Sequence, residues 1–295
     1  MYQPSLSIII TTFNSEKVIE NCLNKINFDD FEVYIVDNAS SDNTLSIVKN
    51  NFPLAKIIAN TKNLGYSRGN NCALKIIKSD FALILNPDAF IFDEDLKKTL
   101  SLIASNPQIA ILAPLLLNFY PAQNDDISKE IAVVNGNLIN IFPDFTSVKY
   151  VVGACMILRM EVFKKIGFFD ERIFLYYEDD EISWRAIKNG YICGVKTDNY
   201  SFHIGSGSSG SSSRQIYRRF FHRALSKFYW KEKQKNFKTA YFSAIKLAIS
   251  YFLQAVFYAI IFNRQKTIKY FGGLGGAVAY LFRLTAFDKN DNPRG

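Results

Sequence analysis

The stretch Leu175–Arg185, LYYEDDEISWR, sets four carboxylates in a row behind two tyrosines. Adjacent carboxylates repel one another, and a carboxyl group held beside aromatic rings and like charges has its pKa raised, which suits a general base. Tyrosine faces and hydroxyls also suit a polyhydroxylated acceptor. Asp180 and Glu181 have a plainer explanation. Acids favour the first turn of a helix, Glu181 stands four residues before Arg185, and Asn189-Gly190 makes a stop. That explanation leaves Glu178 and Asp179 unaccounted for.

A second carboxylate, Asp88 in LILNPDAF, follows an apolar strand-like run. A hard divalent cation that bridges phosphates takes one or two carboxylates and completes its shell with water and substrate oxygens. One Asp at a strand tip meets that need, although a simple Asn-Pro-Asp turn fits the same residues. Of the two histidines, His203 ends NYSFHIG, where its ring could reach back to the sheet edge as a second ligand, while a lone His is more often structural. His222 lies among arginines and has no comparable case. In YIVDNASSDNT, Asp37 and Asn38 could bond a nucleobase edge or a ribose, or could merely cap the turn, with Asp42 capping the next helix. In NTKNLGYSRGNN (60–71), Gly65 and Gly69 would let backbone N–H groups approach a diphosphate that Arg68 neutralises. This is neither a GxGxxG fingerprint nor a Walker pattern. GGLGG (272–276) follows a helical, basic segment and not a strand, which argues against a nucleotide loop.

These residues need a frame that brings them together. Apolar runs at 6–13, 31–37, 55–60 and 81–86 read as buried strands. Between them, helical periodicity appears around 18–26, in SDNTLSIVKN, around 66–79, and from Asp93 to about Ser105. Such alternation predicts an α/β fold with a mostly parallel sheet flanked by helices. Ligands then sit beyond the carboxyl ends of the strands, at Thr11-Thr12, Asp37-Asn38, Asn60–Asn70 and Asn86-Pro87-Asp88. IAILAPLLL and VVGACMILRM read as further strands, separated by a polar stretch (118–149) placed to cover a cleft.

At 295 residues and 48% hydrophobic, the chain can bury a sizeable core. Its net charge of +8 hides a division. Residues 1–213 hold 19 Lys+Arg against 24 Asp+Glu, whereas residues 214–295 hold 16 basic residues against Glu232, Asp288 and Asp291. The Ser/Gly tract at 206–213 marks the expected boundary between a domain at 1–205 and a basic helical region at 214–295. The four cysteines form no CxxC pair and read as buried free thiols of a reducing compartment. No N-terminal signal peptide is expected, since MYQPSLSIII lacks a basic leader.

The combination VDNASSDNT, NLGYSRGNN, LNPDAF, GACMILRMEVFKKIGFFDERIFLYYEDDEISWRAIKNGY and FHIGSGSS, in this order, resembles the family-two inverting glycosyltransferases of GT-A fold, and most closely their bacterial rhamnosyltransferase-like branch. The likeness covers roughly residues 5–230 and is most specific from Gly153 to Tyr191. It implies that Thr11, Thr12, Phe13, Asp37, Asn38, Asn63, Gly65, Arg68, Asn70, Asn86 and Asp88 hold a nucleotide-diphosphate sugar, a UDP- or dTDP-sugar. It further implies that Asp88 and His203 bind Mg²⁺ or Mn²⁺. Asp179 becomes the general base with Glu178 beside it, and Tyr176, Tyr177 and Trp184 shape the acceptor side. Asn86 stands where many members of the family have Asp, which removes one negative charge from the metal site.

In the basic tail, RQIYRRFFHRALSKFYW (214–230) forms an apolar stripe from Ile216 to Tyr229 with arginines mostly off it, a pattern suited to an anionic membrane surface. The uncharged run 247–262 has 16 residues, short of the ~20 of a spanning helix. Interfacial attachment is the expectation, with packing, a homodimer and a tilted span left open. Nucleic acid is not expected as a partner, because no motif accompanies the charge. The sequence thus anticipates a transferase at the cytoplasmic face of the plasma membrane, acting on a cell-surface glycan or lipid-linked acceptor. A non-catalytic glycan-binding scaffold is the competing reading. A sugar nucleotidyltransferase is a weaker one, because TTFNSEK after the first strand lacks the Gly-rich basic loop of that class.

Overall fold

The computed structural model describes residues 4–119, 129–130, 138–205 and 212–295. In chain order the elements begin β1 (Leu6–Thr12), α1 (Ile19–Leu23), β2 (Glu32–Asp37), α2 (Thr44–Asn51), β3 (Lys56–Ala59), α3 (Gly65–Leu74), β4 (Phe81–Leu85), β5 (Ala89–Ile91) and α4 (Asp93–Ser105). They continue β6 (Ile109–Phe119), β7 (Lys129–Glu130), β8 (Leu138–Ile141), β9 (Thr146–Val148), β10 (Cys155–Arg159), α5 (Met160–Ile166), α6 (Glu178–Lys188) and β11 (Ile192–His203). Helices α7 (Ser213–Gln234), α8 (Phe237–Ile260) and α9 (Arg264–Leu281) close the chain.

By its internal contacts the chain divides into two units. The first takes in Met1–Asn63, Arg68–Phe169 and Asp179–Ser208, and the second Leu64–Ser67, Asp170–Glu178 and Ser209–Gly295. Most of the expected Ser/Gly linker, residues 206–211, lies outside the described residues, as does much of the expected cleft cover at 118–149.

The first unit is built on one sheet of order β3-β2-β1-β4-β10-β6-β11-β9-β8, with β5 on β11 and β7 on β6. Strands β3, β2, β1 and β4 run parallel, as the strand-helix alternation required. β10 then enters antiparallel between β4 and β6, so the sheet is mixed beyond its parallel half. The parallel strands read as unbroken apolar runs because both faces are covered. Ile8, Ile9, Ile10, Leu83 and Ile84 are all sealed from solvent, each worth about 1.5–3 kcal/mol of burial. The carboxyl ends of β1, β2 and β4 carry Thr12, Asp37 and the Asn86–Asp88 turn to one rim. Cys22, Cys155 and Cys193 are buried free thiols, and burial pushes Cys155 and Cys193 up to about 12.

The second unit is a bundle of α7, α8 and α9, which share a core of Phe221, Leu225, Phe228, Ala244, Ala277 and Tyr280. Ser212 closes a capping box with Gln215, and Asn236 and Asn263 cap α8 and α9 through Thr239 and Lys266 N–H groups. GGLGG lies inside α9. A Cβ at Gly272 would stand 2.5 Å from the Tyr217 carbonyl, and one at Gly276 would strike the Phe221 carbonyl, so these glycines admit the α7 backbone. One expectation for α7 changes here. Its apolar stripe is consumed by packing in the bundle, with Ile216, Phe221, Ala224, Leu225 and Phe228 buried, and is not offered to a membrane. His222 is fully buried, stacked on Phe174 at 4.1 Å, and burial pushes its pKa down to about 3.

Candidate active site

Asp88 is 4% exposed at the turn after β4. The chain reverses there because Ala89 N–H donates to the Asn86 carbonyl, at 3.0 Å. The final register of β11 against β5, His203 opposite Ala89, brings the histidine alongside, and Ile204 N–H donates to the Asp88 carbonyl at 2.9 Å. His203 Nε2 and Asp88 Oδ1 are consequently 3.1 Å apart. Two ligands bound to one small dication at ~2.1 Å and at right angles would be separated by about 3 Å, so the pair fits adjacent corners of such a shell. Among the described residues no cluster of three His, Cys, Asp or Glu side chains forms. The remaining corners would fall to water and diphosphate oxygens, the manner in which Mg²⁺ is commonly held.

Asp179 lies in the first turn of α6, and the motif upstream explains its position. Gly153 N–H donates to Asp179 Oδ2 at 3.2 Å, and Val151 N–H donates to Ser183 Oγ at 3.2 Å. One face of α6 is thereby stitched to the segment that leads into β10. The same segment accepts Asn86 N–H at the Ala154 carbonyl, 2.9 Å, so the Asp88 turn and Asp179 are referenced to neighbouring residues of one turn, Gly153-Ala154. Removal from water raises the pKa of Asp179 against the lowering effect of its backbone N–H donors. Asp180 is pushed up to about 7, first by burial and then by the charge of Asp179. Both carboxylates also raise the nearby Tyr150 phenol, after burial.

The sequence explains Asp180 as a helix start, yet it is half-buried and joined electrostatically to Asp179. Glu181 is more than a surface partner for Arg185. It is fully buried and bonded to Arg185 at 3.0 and 2.9 Å, while Arg185 also donates to the Ile166, Gly167 and Phe168 carbonyls. Asn71, unremarked in the sequence, clamps the next residue of that loop. Its Nδ2 donates to the Phe169 carbonyl at 2.9 Å, and its Oδ1 accepts Phe169 N–H at 3.1 Å.

At the expected nucleotide end, Asp37 is fully buried. Its Oδ1 accepts Thr12 Oγ1–H at 3.0 Å and its Oδ2 accepts Ser40 N–H at 2.9 Å, so it is the turn cap of the plainer reading. Asp42 caps α2 through Thr44. Thr11 Oγ1 donates to Asn70 Oδ1 at 3.0 Å, and Asn60 Nδ2 donates to Asn38 Oδ1 at 3.0 Å. Gly69 permits that meeting, since a Cβ there would lie 2.7 Å from Thr11 Cγ2 and 3.0 Å from Asn38 Nδ2. Phe13, Asn63 and Arg68 are half-buried in the same unit. Trp184 follows Asp180 by one helical turn and carries Lys188 Nζ 4.9 Å over its ring.

Gly65, Tyr176, Tyr177 and Glu178 belong to the helical unit. Gly65 takes φ +75°, and a Cβ would strike the Phe174 carbonyl, which accepts Tyr66 N–H at 2.9 Å. Tyr176 and Tyr177 both adopt left-handed backbone, φ 68° and 70°, a conformation costly for two successive non-glycine residues. Arg223 lies 5.7 Å over the Tyr176 ring. The loop is anchored at Asp170, which accepts Tyr229 O–H at 2.9 Å and Lys233 N–H at 2.7 Å.

A parallel half-sheet with acids at its strand ends, an antiparallel insertion and a carboxylate opening α6 define the GT-A class of glycosyltransferase fold. Solved structures agree. The mannosyltransferase PcManGT of Pyrobaculum calidifontis, in complex with GDP-Man and Mn²⁺, superposes with TM-score 0.58 at 16% identity over 96% of this chain and 88% of that one. Residues 1–349 of Staphylococcus aureus TarS with UDP-GlcNAc give TM-score 0.54 at 20% identity over 95% and 92%. Residues 7–167 match the model of glycosyl transferase family 2, and the chain belongs to that family.

Among curated relatives, the low-salt glycan biosynthesis hexosyltransferase Agl10 of Haloferax volcanii is 30% identical over 61% of this chain and 61% of its own length. The rhamnosyltransferase WbbL of Escherichia coli is 24% identical over 66% and 83%. The N-acetylglucosaminyl-diphospho-decaprenol L-rhamnosyltransferase of Mycobacterium tuberculosis is 21% identical over 54% and 62%. The match to full-length TarS spans only 18% of that protein.

Proposed function

We propose that this chain is a metal-dependent, inverting glycosyltransferase that moves a sugar from a nucleotide-diphosphate donor to a hydroxyl of a cell-surface glycan or lipid-linked acceptor. The observation that carries the reading is that the turn holding the Asp88–His203 pair and Asp179 are both bonded to Gly153-Ala154, the turn that leads into β10, in a sheet of this class. Asp179 accepts the proton of the acceptor hydroxyl as that oxygen attacks the anomeric carbon. The bond from the anomeric carbon to the diphosphate oxygen breaks on the opposite side, so configuration inverts and the nucleoside diphosphate departs. Asp88 and His203 would hold a divalent cation that offsets the charge of the leaving diphosphate. Thr11, Asn38, Arg68 and Asn70 face the nucleotide end, with Asp37 stiffening the turn beneath.

The relatives named as rhamnosyltransferases favour a hexose such as rhamnose, the TarS neighbour with UDP-GlcNAc favours a UDP-linked donor over the dTDP-linked alternative, and the decaprenol-linked acceptor in one relative's name favours a lipid-linked substrate. Such an acceptor would place the reaction at the cytoplasmic face of the membrane. The test is a thermal-shift panel of nucleoside diphosphates and nucleotide-sugars with and without Mn²⁺, followed by nucleotide release with the best donor. Asp179→Asn should bind that donor normally and lose about 10²–10⁴-fold in turnover. Wild type that binds glycan but releases no nucleotide from any donor would instead establish a scaffold.

A further inference from the structure

Helix α8 is amphipathic in an inverted sense. The face turned into the bundle is a stripe of small residues, Ala240, Ala244, Ala248 and Ala255, all buried. The opposite face carries the bulk, with Phe242, Ile249, Phe252, Leu253, Val256 and Ile260 exposed along one side. At 100° per residue these six fall within a ~100° sector. The helix ends in Ile261 and Phe262, and Phe262 is 94% exposed on a left-handed backbone, φ 56°. From Leu247 to Asn263 there is no charge, yet Lys238 and Lys246 lie on one flank and Arg264 and Lys266 on the other. A contiguous apolar face of this size on a folded surface marks an interaction site.

We propose that this face docks flat on an anionic lipid membrane, with Phe262 as its most deeply inserted side chain and without crossing the bilayer. Charge selects the occupant. Residues 214–295 hold 16 basic residues against three acidic ones, so pairing two copies through this region would bring like charges together, whereas anionic headgroups receive them. The packing sets the depth. At 24 residues α8 is about 36 Å long, enough to span ~30 Å of hydrocarbon. Its alanine stripe, however, shares a core with α7 and α9. A crossing would carry Arg264, Lys266 and Lys269 of α9 into hydrocarbon or tear that core open. Only one face of α8 is available, which is the condition of an interfacial helix. The inference does not rest on transferase chemistry, because an inactive protein would dock equally well.

The test uses the full chain with vesicles of phosphatidylcholine alone and of phosphatidylcholine mixed with phosphatidylglycerol. Wild type should co-sediment with the anionic vesicles at low salt and dissociate at high salt. The double change Phe252→Ser with Leu253→Ser should weaken partitioning at least about tenfold, equal to about 1.4 kcal/mol, with melting temperature retained because both side chains are exposed. Phe262→Trp supplies a second measurement on an undisturbed fold. Its added fluorescence should be quenched by lipids brominated near the headgroup. Quenching strongest at the bilayer centre, or resistance to alkaline carbonate extraction, would overturn the flat orientation. Absence of vesicle binding with concentration-dependent dimerisation, or unchanged binding by the double variant, would overturn the membrane assignment.

Discussion

Replacing Asp180 by Asn leaves shape nearly unchanged and deletes the carboxylate that titrates beside Asp179. In the folded protein Asp180 is raised from 3.8 to about 7, by burial and then by the charge of Asp179. A carboxyl raised in this way contributes stability that is fully present below its unfolded pKa and is lost as pH rises through the folded value. At about 1.4 kcal/mol for each pKa unit the full rise would correspond to ~4 kcal/mol. Asp180 is only half-buried, and solvent screening reduces that to about 1–2 kcal/mol. The variant should therefore melt about 2–6 °C above wild type at pH 8 and within about a degree of it at about pH 3, below the unfolded pKa of 3.8, where the wild-type carboxyl is protonated in both states. Differential scanning fluorimetry across pH measures this difference. An equal gain in melting temperature at the two pH values would refute the electrostatic pairing.

Asp88→Asn, or His203→Gln, should abolish the extra stabilisation that Mn²⁺ gives in the presence of nucleoside diphosphate, read by thermal shift, and leave the metal-free melting temperature within ~2 °C. Gly69→Ala should cost about 1–3 kcal/mol in urea unfolding and weaken nucleotide binding by calorimetry, because its Cβ would stand 2.7 Å from Thr11 Cγ2. Glu181→Gln should destabilise by about 3 kcal/mol in the same unfolding assay, since it leaves Arg185, only 17% exposed, without its buried counter-charge.

The parallel half of the sheet was legible because β1 and β4 are buried on both faces and read as unbroken apolar runs, while α2 and α4 keep helical periodicity. Their strand ends then pointed to Thr11, Asp37 and Asp88 without further information. The antiparallel entry of β10 was not legible. VVGACMILRM is apolar whichever neighbour it pairs with, and direction is settled by distant strands. Asn71 escaped notice because its partner is a backbone amide 98 residues away. The stripe on α7 misled for a related reason. An apolar helical face looks the same in sequence whether lipid or another helix covers it, and only α9's glycines reveal the helix. Asp180 was explained away because an acid in a first helical turn needs no further cause.

The N–H that orients Asp179 is a main-chain group, and main-chain groups do not mutate. The half-exposed side chain at Val152 can change without disturbing it, and only proline or a rebuilt turn removes the donor at Gly153. Because Asn86 bonds the very next residue, the spacing between Asp179 and the Asp88 turn is set by two main-chain hydrogen bonds to Gly153-Ala154. If Asp179 and Asp88 act as proposed, side chains around them can be exchanged while that spacing is kept, and a laboratory seeking new acceptors should leave Gly153-Ala154 untouched and vary the surroundings.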